Sequence, residues 1–156
     1  MKEQLYFALV RPHLEFACAV WDPFTTMDIQ RIEIIQHRAA RFVANNYIKE
    51  PGSMTKILEQ LNWPTLEQRR KQCRLVNMYK IQTQTIAIPI PDYIERQTAS
   101  NTRQYHPSKF RVMKANNNSY KYSFFPRTIT EWNGLTSDAL EAASAECFKT
   151  IISSDM

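Results

Sequence analysis

Residues 26–45, TMDIQRIEIIQHRAARFVAN, carry the clearest helical periodicity in this chain. Their apolar side chains recur at the intervals that place them on one side of an α-helix: Ile32, Ile35, Ala39 and Phe42. Thr25 or Thr26 can cap the start, and Asp28 suits the first turn. We therefore expect a helix whose apolar face packs against the core. Its basic flank, formed by Arg31, Arg38 and Arg41, serves either solubility or phosphate contact.

The residues before this helix form a second apolar pattern. Residues 2–20 predict a mostly buried helix whose inward face carries Leu5, Leu9, Phe16 and Val20, with Tyr6, Phe7, Val10 and Leu14 beside them. Pro12 should kink or split this helix near Arg11, because proline lacks the backbone N–H that the preceding turn needs.

Two more helices are expected after the helix of residues 26–45. Residues 53–61 predict a short helix capped by Ser53, and Pro64 opens another over roughly residues 65–83. Thr65 and Gln68 have the spacing of a capping box. In the second helix one arc is apolar, with Leu66, Cys73, Val76 and Tyr79. A separate arc is basic, with Arg70, Lys71 and Arg74.

Helical periodicity fails between residues 84 and 119, where prolines interrupt the pattern and Asn116–Asn118 reads as a loop tip. It returns over residues 124–133, which end at Gly134, and over a last helix capped by Ser144. We expect a mainly α fold of five or six helices around one core. Trp21, Trp63, Trp132 and Phe125 are assigned to that core because large rings dominate small cores.

Composition excludes several classes of protein. Only two of the 156 residues are glycines, which disfavours glycine-rich phosphate loops and hairpin-rich β folds. No apolar run approaches the roughly 20 residues of a membrane-spanning helix, and the start carries neither the charge pattern nor the cleavage site of a signal peptide. We expect an intracellular protein, in the nucleus or the cytoplasm.

Charge is distributed unevenly along the chain. Residues 1–68 carry a net charge of −1, residues 69–127 carry +10, and residues 128–156 carry −4. The middle part can attract nucleic acid or an anionic membrane surface, or it can be an ordinary solvated surface. Within it, residues 96–127 contain seven basic residues and no acidic one, interleaved with Tyr105, Phe110, Tyr120 and Tyr122. This mixture suits nucleic acid, and it equally suits a flexible basic linker with aromatics tucked into the core.

The sequence contains no motif of a known catalytic or metal-binding site. The three cysteines are widely spaced and stand apart from the histidines, so we expect free thiols and no metal. No two aspartates are adjacent, and neither a GxSxG nor an HExxH motif occurs. We expect no catalytic residue and no cofactor.

A series of motifs runs in order along almost the whole chain. It consists of Leu9-Val10-Arg11-Pro12-His13-Leu14-Glu15-Phe16, Val20-Trp21-Asp22-Pro23, Gln36-His37-Arg38-Ala39-Ala40-Arg41-Phe42, Leu61-Asn62-Trp63, Arg69-Arg70, Tyr79-Lys80-Ile81, Thr102-Arg103, Phe124-Phe125-Pro126-Arg127, Trp132-Asn133 and Phe148-Lys149. Each motif is weak alone, but the ordered series resembles the C-terminal region of the jockey-like endonuclease–reverse transcriptases of non-LTR (LINE-type) retrotransposons.

That resemblance implies a thumb and a helical extension that follow the polymerase palm. Residues 1–83 would then be a helical thumb-like region, 84–123 an irregular basic segment, and 124–156 a C-terminal helical segment on the same core. The chain would lack the catalytic aspartates of this RNA-directed DNA polymerase, so it is not expected to be an enzyme by itself. Its task would be to hold the template–primer duplex, and the missing palm could act in trans.

On this interpretation the expected partner is nucleic acid, an RNA–DNA hybrid or RNA, and no membrane. Arginine suits bidentate phosphate contacts. The predicted nucleic-acid-binding residues are Arg38, Arg41, Arg69, Arg70, Arg74, Arg103 and Arg127. Two alternatives stay open: a helical protein-interaction module whose basic face meets acidic partners, and a retrotransposon remnant with no retained function.

Overall fold

The computed structural model describes residues 1–98 and 105–154, and the fold is mainly helical, as predicted. The chain divides into two compact units, an N-terminal unit (Met1–Lys71) and a C-terminal unit (Gln72–Met156). The helices of the N-terminal unit are α1 (Lys2–Leu5), a π-helical turn (Tyr6–Val10), α2 (Arg11–Glu15), α3 (Cys18–Trp21), α4 (Thr26–Ala44), α5 (Ser53–Leu61) and the start of α6 (Leu66–Gln82). Those that follow are α7 (Asn118–Lys121), α8 (Phe124–Asn133), α9 (Ser137–Leu140) and α10 (Ala145–Ser154).

This division differs from the expected one. The boundary falls inside α6, at Lys71, and not at residue 83, and each unit has a hydrophobic cluster of its own. The predicted segments 84–123 and 124–156 both belong to the C-terminal unit. The sequence pattern could not reveal this boundary because α6 is continuous across it.

The N-terminal helix does not split near Arg11, because residues 2–15 are helical through Pro12, and the break lies further on, at Ala17. A π-helical turn precedes the proline, and Ala17 adopts a left-handed conformation (φ 49°) that separates α2 from α3. A π turn closes a wider ring of backbone and is a frequent way to relieve a local mismatch in a helix.

The inward face of this region differs from the predicted one. Tyr6 is buried and stacks on Trp63, with ring centroids 4.4 Å apart, and the Trp63 indole donates a hydrogen bond to Glu3 (2.9 Å). The four residues predicted to lead that face are exposed instead: Leu5, Leu9, Phe16 and Val20. Trp21 was expected in the core and is also exposed in part. Its indole N–H donates a hydrogen bond to the carbonyl oxygen of Phe16, which is itself an exposed residue.

Helix α4 has the predicted extent and cap but a different orientation. Its buried residues are Glu33, Gln36 and Ala40, whereas Ile35 and Phe42 are exposed. At 100° per residue, the buried face is rotated by roughly 100° from the predicted apolar face.

The polar groups of α4 explain this rotation. The Glu33 carboxylate accepts the backbone N–H of Glu67 (2.8 Å), and the Gln36 amide donates to the carbonyl oxygen of Pro64 (2.9 Å). Both contacts lie at the start of α6, where backbone N–H groups lack helical partners and favour a negative charge. Satisfying these groups determines which face of α4 is buried.

The two following helix starts agree with the sequence to different degrees. Thr65 and Gln68 form the predicted capping box, with reciprocal bonds of 3.0 and 3.1 Å. Ser53 is not the cap of α5, because Gly52 takes that position with φ +77°, a conformation that suits glycine. Ile57 and Leu58 of α5 are buried.

The C-terminal unit packs α8 and α10 around buried aromatic rings. Trp132 and Phe148 lie 5.6 Å apart, and the Phe148 ring stacks on Tyr79 at 4.8 Å. Ser144 caps α10 as predicted, by accepting the N–H of Cys147 (3.2 Å), and Gly134 follows the last residue of α8. Within the described part of residues 84–117 the backbone is irregular apart from one antiparallel bridge between Arg96 and Phe110.

The orientation of α4 predicts how two substitutions differ. Ile35→Ser should change the free energy of unfolding by less than about 1 kcal/mol, because the side chain is already exposed. Ala40→Leu should cost about 1–3 kcal/mol, because residue 40 is completely buried and has no room for a larger group. Urea denaturation of both variants measures this, and a larger loss for Ile35→Ser would contradict the orientation.

Tyr6 predicts a pH dependence of stability at alkaline pH. Burial raises the pKa of Tyr6 to about 12, while an unfolded chain releases this proton near pH 10. The folded state therefore binds more protons between these values, and the free energy of unfolding falls by about 2–3 kcal/mol as pH rises through this window. Tyr6→Phe should remove this part of the fall in urea denaturation. The exposed Tyr93→Phe is the control, and equal pH dependence in all three proteins would refute the assignment.

Candidate nucleic-acid interface

Helix α6 carries three of the arginines predicted to bind nucleic acid. Its buried face has a regular four-residue spacing, with Leu66, Arg70, Arg74 and Met78, each no more than 2% exposed. Two arginines thus occupy core positions of the helix. The spacing of the four residues was visible in the sequence, and it is the signal that the assignment of Arg70 and Arg74 to an exposed basic arc overlooked.

Arg70 is held inside the N-terminal unit by an acid that follows α3. Its Nε lies 2.6 Å from the carboxylate of Asp22, and the two side chains are 1% and 5% exposed. Burial lowers the pKa of Arg70, and the negative charges of Glu33 and Glu67 oppose that shift. Buried charge is costly unless it is paired, so this pair neutralises a core arginine.

Arg69 is also engaged within the N-terminal unit. It forms a two-point ion pair with Glu15, through Nε and through Nη2 (2.8 Å), and Arg11 approaches the same carboxylate at 3.5 Å. The bond to Glu15 raises the pKa of Arg69. The fork that could bind a phosphate is occupied by a carboxylate.

Arg74 has a comparable position in the C-terminal unit. Its Nη2 donates to both oxygens of Glu131, at 2.7 and 2.9 Å, and Arg127 lies 3.9 Å from the same carboxylate. Arg74 is buried and Arg127 is half-buried. One glutamate of α8 therefore contacts two of the predicted phosphate-binding arginines.

The remaining predicted residues are placed differently. Arg38 of α4 is exposed, and Arg41 is half-buried near His37, whose pKa is lowered first by burial. Arg103 lies outside the described residues. The seven arginines therefore do not form one cationic surface: Arg69, Arg70 and Arg74 are corrected to residues that bind internal carboxylates, because each guanidinium meets an acid within its own unit.

Part of the exposed positive charge lies in the acid-free stretch, residues 96–127. Arg111, Lys114 and Lys121 are exposed there. The ion pair of Arg111 with Glu95 (2.9 Å) is exposed on both sides, so it contributes little and exchanges readily with another anion. Together with Arg96, which is exposed beside the cleft described below, these cations are the part of the central charge that the described structure leaves on the surface.

Two residues of α8 position the acid-free stretch. The Asn133 side chain accepts the N–H of Phe110 (3.0 Å) and donates to its carbonyl oxygen (2.7 Å), as a neighbouring strand would. The Trp132 indole donates to the carbonyl oxygen of Ser108 (3.0 Å). Phe110 is buried between these bonds, so the exposed Arg111 follows a firmly held residue.

A cleft of about 500 Å³ lies beside this stretch in the C-terminal unit. Its charged lining residues are Arg96 and Glu141, and Glu141 accepts a 3.2 Å hydrogen bond from Nε2 of His106. The mixed charge favours no anion, so phosphate contact is better assigned to the exposed cations than to the cleft.

The described residues show no grouping that suggests catalysis by a metal. No cluster of three or more His, Cys, Asp or Glu side chains occurs within residues 1–98 and 105–154. The cysteines are free thiols, with Cys18 buried and Cys147 exposed. No described helix is both long enough and apolar enough to cross a membrane.

Comparisons with protein families, with curated proteins and with solved structures find no match for this chain.

The buried pair of Arg70 predicts a large loss of stability on truncation. Arg70→Ala should lower the free energy of unfolding by about 3–5 kcal/mol, because it leaves the Asp22 carboxylate buried without its cation. The double change Arg70→Met with Asp22→Leu should cost less, since neither charge remains. Urea denaturation measures both. Lys71→Ala is the neighbouring control and should have a small effect. An equally small effect of Arg70→Ala would contradict the buried position of Arg70.

Proposed function

We propose that this chain is a non-catalytic module that contacts nucleic acid through the acid-free stretch. One observation carries the proposal: Arg111, Lys114 and Lys121 remain exposed in a stretch that has no carboxylate of its own. Elsewhere in the chain, acids neutralise the arginines of α6. The contact is thus assigned to the C-terminal unit and not to α6.

Binding of this kind is electrostatic and independent of sequence. Lysine and arginine side chains neutralise phosphates and release the counterions that surround the nucleic acid. Tyr105 is exposed within the same stretch and offers a ring for base stacking. Lys121 lies 5.4 Å from the ring centroid of Tyr122, so charge and aromatic surface are adjacent here too.

The ordered motifs that resemble a non-LTR reverse transcriptase support a role in holding the template–primer. In that setting the chain is part of the region that follows the palm, and the palm supplies the chemistry. The hydrogen bonds of Trp132 and Asn133 give one motif of that series a physical task, since they hold the acid-free stretch in place.

The salt dependence of binding to an RNA–DNA hybrid tests this proposal. Affinity should fall roughly tenfold or more between low and moderate salt. The triple variant Arg111→Ala, Lys114→Ala and Lys121→Ala should lower the slope of log affinity against log salt by about 2–3, because each lost phosphate contact removes nearly one unit. Circular dichroism should be unchanged, since all three side chains are exposed.

The matched control removes three exposed lysines from other places: Lys49, Lys56 and Lys149. This variant has the same net charge as the test variant, so it separates a local contact from a general loss of positive charge. Equal slopes for the two variants, or no binding of the hybrid at low salt, would refute the proposal.

A further inference from the structure

Helix α4 presents an exposed surface of unusual composition, here named the α4 seam. It consists of Met27, Arg31, Ile34, Ile35, Arg38 and Phe42. The four apolar members are 59%, 45%, 41% and 49% exposed, in chain order. At 100° per residue all six side chains lie within an arc of about 100°, opposite the buried Glu33, Gln36 and Ala40.

The spacing of the seam is that of a helix which pairs with another helix. Positions 31, 35, 38 and 42 alternate steps of four and three residues, as in a heptad seam. From Met27 to Phe42 the seam is about 22 Å long. A row of exposed apolar side chains along several turns marks an interaction site more often than an ordinary surface.

Positive charge is built into the same surface. Arg31 and Arg38 lie two turns apart, and Lys2 reaches the seam, with its Nζ 4.6 Å from the ring centroid of Phe42. The ion pair of Arg31 with Asp28 (3.3 Å) is exposed and therefore weak. Among the described residues Arg38 has no ion pair, so the seam carries at least one cation without a matching carboxylate.

This charge decides between possible occupants. A second copy would bring another Arg38, and the carboxylate beside the seam, Asp28, already pairs with Arg31, so like charges would be buried together at a cost. Nucleic acid would pair with Arg31 and Arg38 but would leave Ile35 and Phe42 facing phosphates. An amphipathic helix with apolar residues and carboxylates satisfies both parts of the surface.

We infer that the α4 seam docks an acidic amphipathic helix of a partner protein. Its apolar residues would cover Met27, Ile35 and Phe42. Its glutamates or aspartates would meet Arg31 and Arg38, which lie seven residues apart on the seam. This surface belongs to the N-terminal unit and is independent of the nucleic-acid contact proposed for the C-terminal unit.

Binding of two designed peptides to the full chain tests the inference. Each peptide is a helix of about three heptads with leucine at the seam positions, and the flanking positions are glutamate in one and lysine in the other. Fluorescence anisotropy should show that the acidic peptide binds, and that the basic peptide binds at least about tenfold more weakly, a difference of about 1.4 kcal/mol.

Three variants separate the apolar part from the charged part. Ile35→Ser and Phe42→Ser should each lower the affinity for the acidic peptide by about tenfold or more, without loss of the helical circular dichroism signal. Arg38→Glu should lower the affinity for the acidic peptide and raise the affinity for the basic one. Val112→Ser, which removes an exposed apolar residue of the C-terminal unit, should change neither.

Four results would overturn the inference. They are no binding of the acidic peptide, equal binding of both peptides, a self-association that Ile35→Ser abolishes, and a loss of RNA–DNA hybrid binding in Arg38→Glu beyond that of a charge-matched reversal at Lys56. The third would identify a second copy as the occupant, and the fourth would identify nucleic acid.

Discussion

The buried ion pair between Arg70 and Asp22 is the constraint on which much of the N-terminal unit depends. A guanidinium in the core must meet a carboxylate, and the polar groups of Glu33 and Gln36 must also face the start of α6. Helix α4 therefore turns these residues inward. Ile35 and Phe42 consequently face outward, so an internal electrostatic requirement creates an external apolar surface.

The same principle changes the meaning of the charge distribution. The acids of the first and last parts of the sequence do not balance the central charge from a distance, because Glu15, Asp22 and Glu131 lie within bonding distance of α6 arginines. Most of the guanidinium groups that suggested a phosphate-binding helix stabilise the units internally. Of the central charge, a smaller set of cations in the acid-free stretch remains exposed.

Two surfaces remain, and they differ in physical character. The acid-free stretch combines exposed cations with few exposed apolar side chains, which suits a salt-dependent contact with a polyanion. The α4 seam mixes cations with large apolar side chains, which suits a protein helix better than phosphates. Of the interpretations that the sequence left open, we propose nucleic-acid binding for the C-terminal unit and protein interaction for the N-terminal unit.

The sequence by itself determined the elements whose signals are local. The extent of α4, the capping box of Thr65 and Gln68 and the cap at Ser144 all follow from groups within a few residues of one another. Only the tertiary structure decided which helix faces are buried, where the chain divides, and which arginines are exposed. These depend on contacts between residues about 50 apart, such as Arg70 with Asp22, and the spacing along one helix does not show which acid each arginine meets.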